Sequence, residues 1–293
     1  MNNPLISIAI PFYNNELTII DAVKSVFAQT YENWELILLD DGSKDNSLEL
    51  VRNISDKRVK VISDGTNRGL VYRLNQVPSL VSGDYLARMD ADDLMDPTRL
   101  QKQIDVLLSD INIDLVDTGT YSISETGDPI GIRGLESIEY DSKYVLSKAM
   151  LLHASIIGKK EWFVKNPYDP EYVRAEDREL WVRTHKYSNF KRVKEPLYIV
   201  REGKVNIRNY ISSLRTIRKI LYKYGPDILN EKELRAELRK TYLKVFLYKT
   251  FGFFSLQNLL SKRRNGDLTL TEKSKAISIL NKIRSVDLPL NLL

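Results

Sequence analysis

The chain has 293 residues, 43% of them hydrophobic and 28% charged, which excludes disordered and collagen-like chains and suffices for a substantial core. It contains no cysteine, which removes disulfides, thiolate metal sites and cysteine nucleophiles. Only two histidines are present, His153 and His185, too few for a multi-histidine zinc site.

The net charge of +5 is unevenly spread: residues 201–293 carry 20 Lys and Arg against 8 Asp and Glu, leaving residues 1–200 acidic. An acidic body (1–205) and a basic region (206–293) are expected, with a boundary near Gly203. The chemistry left to the body is that of carboxylates with a hard metal ion. The start of the chain has no basic stretch ahead of its apolar residues, so no secretory signal is expected. No window of eighteen apolar residues predicts a membrane-spanning helix, and a cytoplasmic location is expected.

Residues 5–10, Leu-Ile-Ser-Ile-Ala-Ile, form an apolar run stopped by Pro11, the pattern of a buried strand. Leu17, Ile20, Val23, Val26 and Phe27 recur at helical spacing after candidate caps at Asn14 and Asn15. Trp34 to Leu39 reads as a second strand, Asn46 to Asn53 as a helix and Val59 to Ile62 as a third strand. A helix follows Gly69, Tyr85 to Met89 makes a fourth strand, and Asp96-Pro97 opens a helix through Leu108. Strand alternating with helix predicts a parallel sheet covered by helices.

Polar clusters fall just past the carboxyl ends of these strands: Tyr13-Asn14, Asp40-Asp41 and Asp90-Ala91-Asp92-Asp93. Each alone also reads as a solvated turn, but three on the ligand-binding edge of an open α/β sheet point to a site. In an extended segment Asp90 and Asp92 project to one side and converge on a cation such as Mg²⁺ or Mn²⁺. Asp92 and Asp93 also suit the N-terminus of the following helix. Further on, Ala175 to Trp181 reads as a helix start carrying Leu180 and Trp181 inward. Glu176 and Asp177 fit its first turn, and His153 reads by itself as a hydrogen-bonded core histidine.

The order of these pieces resembles the family 2 glycosyltransferases, inverting sugar-nucleotide transferases of the GT-A fold. The matching segments are Ile10 to Asn14, Asp40-Asp41-Gly42-Ser43, Asn67-Arg68-Gly69, Asp90 to Asp93 and Ala175-Glu176-Asp177, with Ser25 to Tyr31 and Leu152-His153-Ala154 also similar. The resemblance covers about residues 5–200. It implies a GT-A mixed sheet covered by helices, with a nucleotide-binding half over 1–100, an acceptor half over 101–205 and a C-terminal helical extension. It also implies that Pro11 and Tyr13 lie against the base, that Asp41 bonds the base edge with Asp40 in support, and that Arg68 lies near base and phosphates. Asp92 would bind Mn²⁺ or Mg²⁺, Asp90 would lie near ribose and donor sugar, and His153 matches a position that in some members approaches the metal. Asp177 matches the general base, with Glu176 beside it toward the acceptor.

The resemblance thus implies an enzyme moving a hexosyl or N-acetylhexosaminyl group from a nucleotide-sugar, expected to be a UDP-sugar, to a glycan or lipid-linked acceptor in surface polysaccharide biosynthesis. Two alternatives stay open on the residues: a sugar-nucleotide-binding or scaffold protein of the same fold without turnover, and a nucleotidyltransferase. The latter would want a glycine-rich basic loop after strand one, where this chain has Pro11-Phe12-Tyr13-Asn14-Asn15-Glu16.

From Asn206 the chain reads as helices, with Ile211, Leu214, Ile217, Ile220 and Leu221 on one face and Glu231 to Tyr248 as a second candidate. The run Val245 to Leu260 is rich in phenylalanine and flanked by Arg239, Lys240, Lys244, Lys262, Arg263 and Arg264. Aromatics between cations fit either peripheral contact with the inner face of the cell membrane through 239–264 or ordinary packing on the body. A nucleic-acid partner is not expected, because the clustering is as apolar as it is basic.

Overall fold

The computed structural model describes residues 3–203, 206–253 and 265–291. Strands β1 (Ile6–Phe12) and β2 (Trp34–Asp40) are buried along their whole length, so they read as continuous apolar runs. Ile6, Ile8, Ile10 and Phe12 enter one core, while Ala9 meets Ile37 and Leu39 in a second core on the opposite face. Strands β3 (Val59–Ser63) and β4 (Tyr85–Arg88) complete a parallel set in the order β3-β2-β1-β4. Helices α1 (Ile19–Phe27), α2 (Ser47–Arg52) and α3 (Leu70–Leu80) make the crossovers.

Helix α1 begins later than caps at Asn14 and Asn15 predict. The Asn15 side chain turns back to accept from the Tyr13 amide at 3.0 Å, and Thr18 becomes the cap residue, without a side-chain cap bond.

The second half adds β5 (Leu94–Met95), α4 (Arg99–Ser109), β6 (Leu115–Ile123), β7 (Pro129–Arg133), α5 (Ser142–Ser147), β8 (Ile157–Lys159), α6 (Lys160–Lys165), α7 (Glu176–Thr184) and β9 (Phe190–Arg201). Strand β8 is antiparallel to both β4 and β6, β9 is parallel to β6, and β5 is antiparallel to β9. The order is β3-β2-β1-β4-β8-β6-β9-β5, with β7 on β6. The parallel sheet predicted by strand–helix alternation therefore holds only through β4. Beyond it the sheet is mixed, in part because a tight turn joins β6 to β7 and reverses the chain.

Helices α8 (Ile207–Ile228), α9 (Glu231–Phe253) and α10 (Leu270–Arg284) form the basic region. They share the body's core. Ile220 and Leu221 of α8 join the second core, and Ala276, Leu280 and Ile283 of α10 pack on Leu94, Tyr121, Ile123 and Ile199. Beyond α10, Leu290 bridges to Ile54, and the Asn291 amide donates to the Asn53 carbonyl at 2.8 Å. Among the described residues no helix is long and apolar enough to cross a membrane.

One buried ion pair fixes the loop that carries His153. Asp117 of β6 is fully buried and meets Arg192 of β9; its Oδ2 also accepts from the Leu152 amide at 2.8 Å, while Arg192 Nη2 donates to the Met150 carbonyl at 3.0 Å. Burial pushes the Asp117 carboxyl above its ordinary value, against the pull of the guanidinium. Arg192→Met would strand that carboxylate, and the expected loss is about 3–5 kcal/mol in urea unfolding near neutral pH. A carboxyl raised by folding penalises the folded state only where it is ionised. The deficit should therefore shrink as pH falls through the raised value.

Candidate active site

A cleft of about 1250 Å³ opens at the carboxyl edge of the parallel strands, lined by Arg68, Arg88, Asp90, Asp93, His153, Glu176 and Asp177 together with residues of α8. The polar residues that follow β1 and β2 lie at the same edge of the sheet. Pro11 is buried within β1, and Tyr13 stands 43% exposed at its end. Asp40 is buried; it accepts from the Ser43 amide at 2.9 Å and the Ser63 hydroxyl at 2.7 Å.

Asp41 holds a loop. Its carboxylate accepts from the amides of Arg68 (2.8 Å) and Gly69 (3.0 Å) and from Arg73 Nε (2.8 Å). Arg73, only 1% exposed, also reaches Asp64 and the Thr66 carbonyl, both at 2.6 Å. Loop 64–69 is thereby pressed onto Gly42. A side chain there would lie 2.7 Å from the Thr66 carbonyl carbon, and its φ of +76° favours glycine. The Arg68 side chain bonds Asp64 at 3.1 Å and lies over the Tyr72 ring.

The acidic cluster converges by a different route from the extended segment predicted. Strand β4 stops at Arg88, and Ala91-Asp92 form a turn closed by the Asp93 amide on the Asp90 carbonyl (3.4 Å). Ligand oxygens of Asp90, Asp92 and Asp93 lie within 4.8 Å of one another. Arg88 Nη2 donates to Asp90 at 2.7 Å, the Tyr198 hydroxyl accepts from the Asp90 amide at 3.0 Å, and Asp93 accepts from the Arg201 amide at 2.9 Å. Crowding by protein, then the Asp90 charge, raises the Asp92 carboxyl, although that residue is exposed at the rim; burial raises Asp93 well above its ordinary value. Mutual repulsion among all-oxygen donors is what a hard divalent cation relieves, so these residues fit Mg²⁺ or Mn²⁺.

His153 does not join that group. Its Nε2 meets the Tyr168 hydroxyl at 2.8 Å, with the Trp181 ring edge-on beside it. Burial, then the Arg88 charge, holds it well below its usual pKa, hence neutral. The structure thus places it where the residue pattern alone does, in a hydrogen-bonded niche, though still on the cleft wall.

Glu176 and Asp177 open α7, whose Leu180 and Trp181 point inward as predicted. Burial raises both carboxyls, Glu176 further through the Asp177 charge; the Arg178 amide and the Arg88 guanidinium pull Asp177 back. Glu176 Oε2 is buried without a protein partner among the described residues, and so is Arg88 Nε.

Sequence reasoning missed Arg73, Arg88 and Tyr168. An arginine in the apolar run Tyr85 to Met89 was the available signal, since a buried arginine requires acidic partners. It also missed the contribution of α8 to the cleft.

The sequence matches the family model "Glycosyl transferase family 2" over residues 7–193. The Bacillus subtilis (strain 168) protein named as the glycosyltransferase EpsE is 33% identical over 210 residues, 69% of this chain and 74% of that protein. The Escherichia coli UDP-Glc:alpha-D-GlcNAc-diphosphoundecaprenol beta-1,3-glucosyltransferase WfgD is 31% identical over 190 residues, 64% of this chain and 73% of that one. In fold, the chain resembles S. aureus TarS 1–349 in complex with UDP-GlcNAc (TM-score 0.59, 17% identity, 95% of this chain and 80% of that one). It also resembles the mannosyltransferase PcManGT from Pyrobaculum calidifontis in complex with GDP-Man and Mn²⁺ (TM-score 0.59, 14% identity, 97% and 87%).

The carboxylate cluster makes a measurable claim. Mn²⁺ should bind one site per chain in calorimetry, and Asp92→Asn should weaken it tenfold or more without changing the circular dichroism spectrum. Unchanged Mn²⁺ affinity would exclude Asp92 as a ligand.

Proposed function

Because the chain belongs to glycosyl transferase family 2, we propose that it is an inverting, metal-dependent enzyme that moves a sugar from a UDP-sugar to a hydroxyl of a lipid-linked saccharide, in surface polysaccharide assembly. The observation that carries the reading is the meeting, in one cleft, of Asp90 and Asp93 of the carboxylate cluster with Asp177 across Arg88. The sequence alternatives, a nucleotidyltransferase or a binding protein without turnover, lose ground to the family membership and to this pairing of acid cluster and base. UDP as the nucleotide draws support from WfgD, named for UDP-Glc, and from TarS with UDP-GlcNAc. The lipid-linked acceptor draws support from the diphosphoundecaprenol in the name of WfgD.

In this reading Pro11 and Tyr13 flank the base, and Asp41 shapes that wall by fixing loop 64–69, with Asp40 bracing the turn and Arg68 beside the phosphates. Asp90, aligned by Arg88, faces the donor sugar, and Asp92 and Asp93 present oxygens to the cation. A bound Mn²⁺ or Mg²⁺ supplies charge neutralisation for the departing diphosphate. Asp177 accepts the proton of the acceptor hydroxyl as its oxygen bonds the anomeric carbon and the bond to the nucleotide diphosphate breaks. Attack opposite the leaving group inverts that centre in one displacement. His153, neutral and tied to Tyr168, fixes the floor of the cleft near Trp181.

Helix α9 supports peripheral contact with a membrane. Tyr242, Leu243, Phe246 and Phe253 are exposed by 55, 58, 65 and 86%, with Arg239, Lys244 and Lys249 exposed on the same helix. Phe251 is half-buried, whereas Phe254 and the cations Lys262, Arg263 and Arg264 lie outside the described residues. An apolar surface set among cations suits an anionic bilayer.

Two outcomes test these roles. Asp177→Asn should keep UDP-sugar affinity and lose transfer by about 10²-fold or more. In the wild type, kcat should fall with decreasing pH through a pKa above the ordinary aspartate value, because burial raises Asp177 and only its ionised form accepts a proton. Transfer unaffected by the substitution would remove Asp177 as the base. For the membrane, the protein should sediment with phosphatidylglycerol vesicles and be partly released by 0.5 M salt (about a 4 Å screening length), with Phe246→Ser/Phe253→Ser abolishing the salt-resistant fraction. Wild-type protein that ignores such vesicles would refute the contact.

A further inference from the structure

The cleft exceeds the usual size of a small-molecule site. Small-molecule sites span about 300–1000 Å³, and this one measures about 1250 Å³. Its extra wall is supplied by α8, outside the segment that matches the family model. Asn206, Asn209, Tyr210 and Ser213 recur at i, i+3, i+4 and i+7, one face of the helix, and all four line the cleft with Asp177.

That face is built to stay in place. Thr216, one turn further on, donates to the Val173 carbonyl at 2.8 Å and so ties α8 to the segment leading into Glu176 and Asp177. Tyr210 stacks on Tyr248 of α9 with ring centroids 3.8 Å apart, and the Asn206 side chain caps the helix by accepting from the Asn209 amide at 3.1 Å. The Asn209 carboxamide and the Ser213 hydroxyl, both half-buried, take no hydrogen bond from protein among the described residues. Across the cleft, Arg133 pairs with Glu202 at 2.5 Å and donates to Asn265 at 2.7 Å, so that wall carries balanced charge.

We infer that this face of α8 is the acceptor subsite and that it takes a neutral saccharide unit, whose hydroxyls bond Asn209 and Ser213 while its ring packs beside Tyr210. The inference rests on the glycosyl-transfer reading. Uncharged amide and hydroxyl groups beside an aromatic ring match sugar hydroxyls and an apolar sugar face, while the exposed Arg174 on the adjoining cleft wall can meet a charged group attached to that sugar. Residues of α8, beyond the family segment, then add to acceptor choice beside Glu176 and Asp177 within it.

The test separates transfer from donor hydrolysis. With UDP-glucose and UDP-N-acetylglucosamine as donors and a panel of neutral p-nitrophenyl glycosides as acceptors, wild-type protein should release UDP slowly alone and faster with at least one glycoside. Asn209→Ala/Ser213→Ala should raise the acceptor KM about tenfold or more, from two lost hydrogen bonds, and leave donor KM and the hydrolysis rate unchanged. Should that double variant melt early, Asn209→Ser alone should raise the acceptor KM severalfold. An unchanged acceptor KM, or a parallel loss of donor KM and hydrolysis, overturns the subsite while leaving the transferase reading intact. Hydrolysis that no glycoside accelerates also overturns it. Absence of UDP release under every condition would instead overturn the transferase reading and the subsite with it.

Discussion

Carboxylates gathered at one edge of a sheet repel one another, and burying each costs several kcal/mol unless a cation meets it. The architecture answers with arginines held by regular elements. Arg73 of α3 meets Asp41 and Asp64, Arg88 of β4 meets Asp90, and Arg192 of β9 meets Asp117. Guanidinium suits this task because it stays charged when buried and reaches two partners from one planar fork. Arg73 joins the turn after β2 to loop 64–69 in this way, and Arg88 stands between the acidic cluster and the carboxylates of α7. Among the described residues Asp92 and Asp93 form no direct ion pair, and the charges of Arg201 and Arg88 offset only part of what raises Asp92.

The strands and helices of the first hundred residues were legible because their apolar residues alternate between two cores or repeat at helical spacing, as in Ile6, Ile8 and Ile10. The clusters at strand ends were legible because their place in the chain order fixes them to one edge of the sheet. What was hidden depended on pairs distant in sequence. Nothing local tells that Asp41 will be met by Arg73, or that Tyr168 will meet His153. The convergence of Asp90 with Asp92 was anticipated, but its turn geometry was not, because β4 stops two residues short of Asp90.

The charge division of the sequence has a structural counterpart that composition did not reveal. The basic region is no appendage: α8 closes the cleft, α10 covers β5, β6 and β9, and α9 turns aromatic side chains outward. A division at 205 therefore separates two kinds of composition while cutting through a shared core. The acidic body alone would expose Leu94, Tyr121, Ile123 and Ile199.

The antiparallel bridge between Ile54 and Leu290 sets an order of events during synthesis. The segment beside β3 finds its partner only after more than two hundred further residues have left the ribosome. Until then Ile54 lacks that partner, and the apolar patch awaiting α10 faces water. Contacts of such high sequence separation are the slow ones to form, because a long loop must close before they return any stabilisation. A nascent chain stalled before α10 would thus be a client for chaperones even with its four parallel strands already paired.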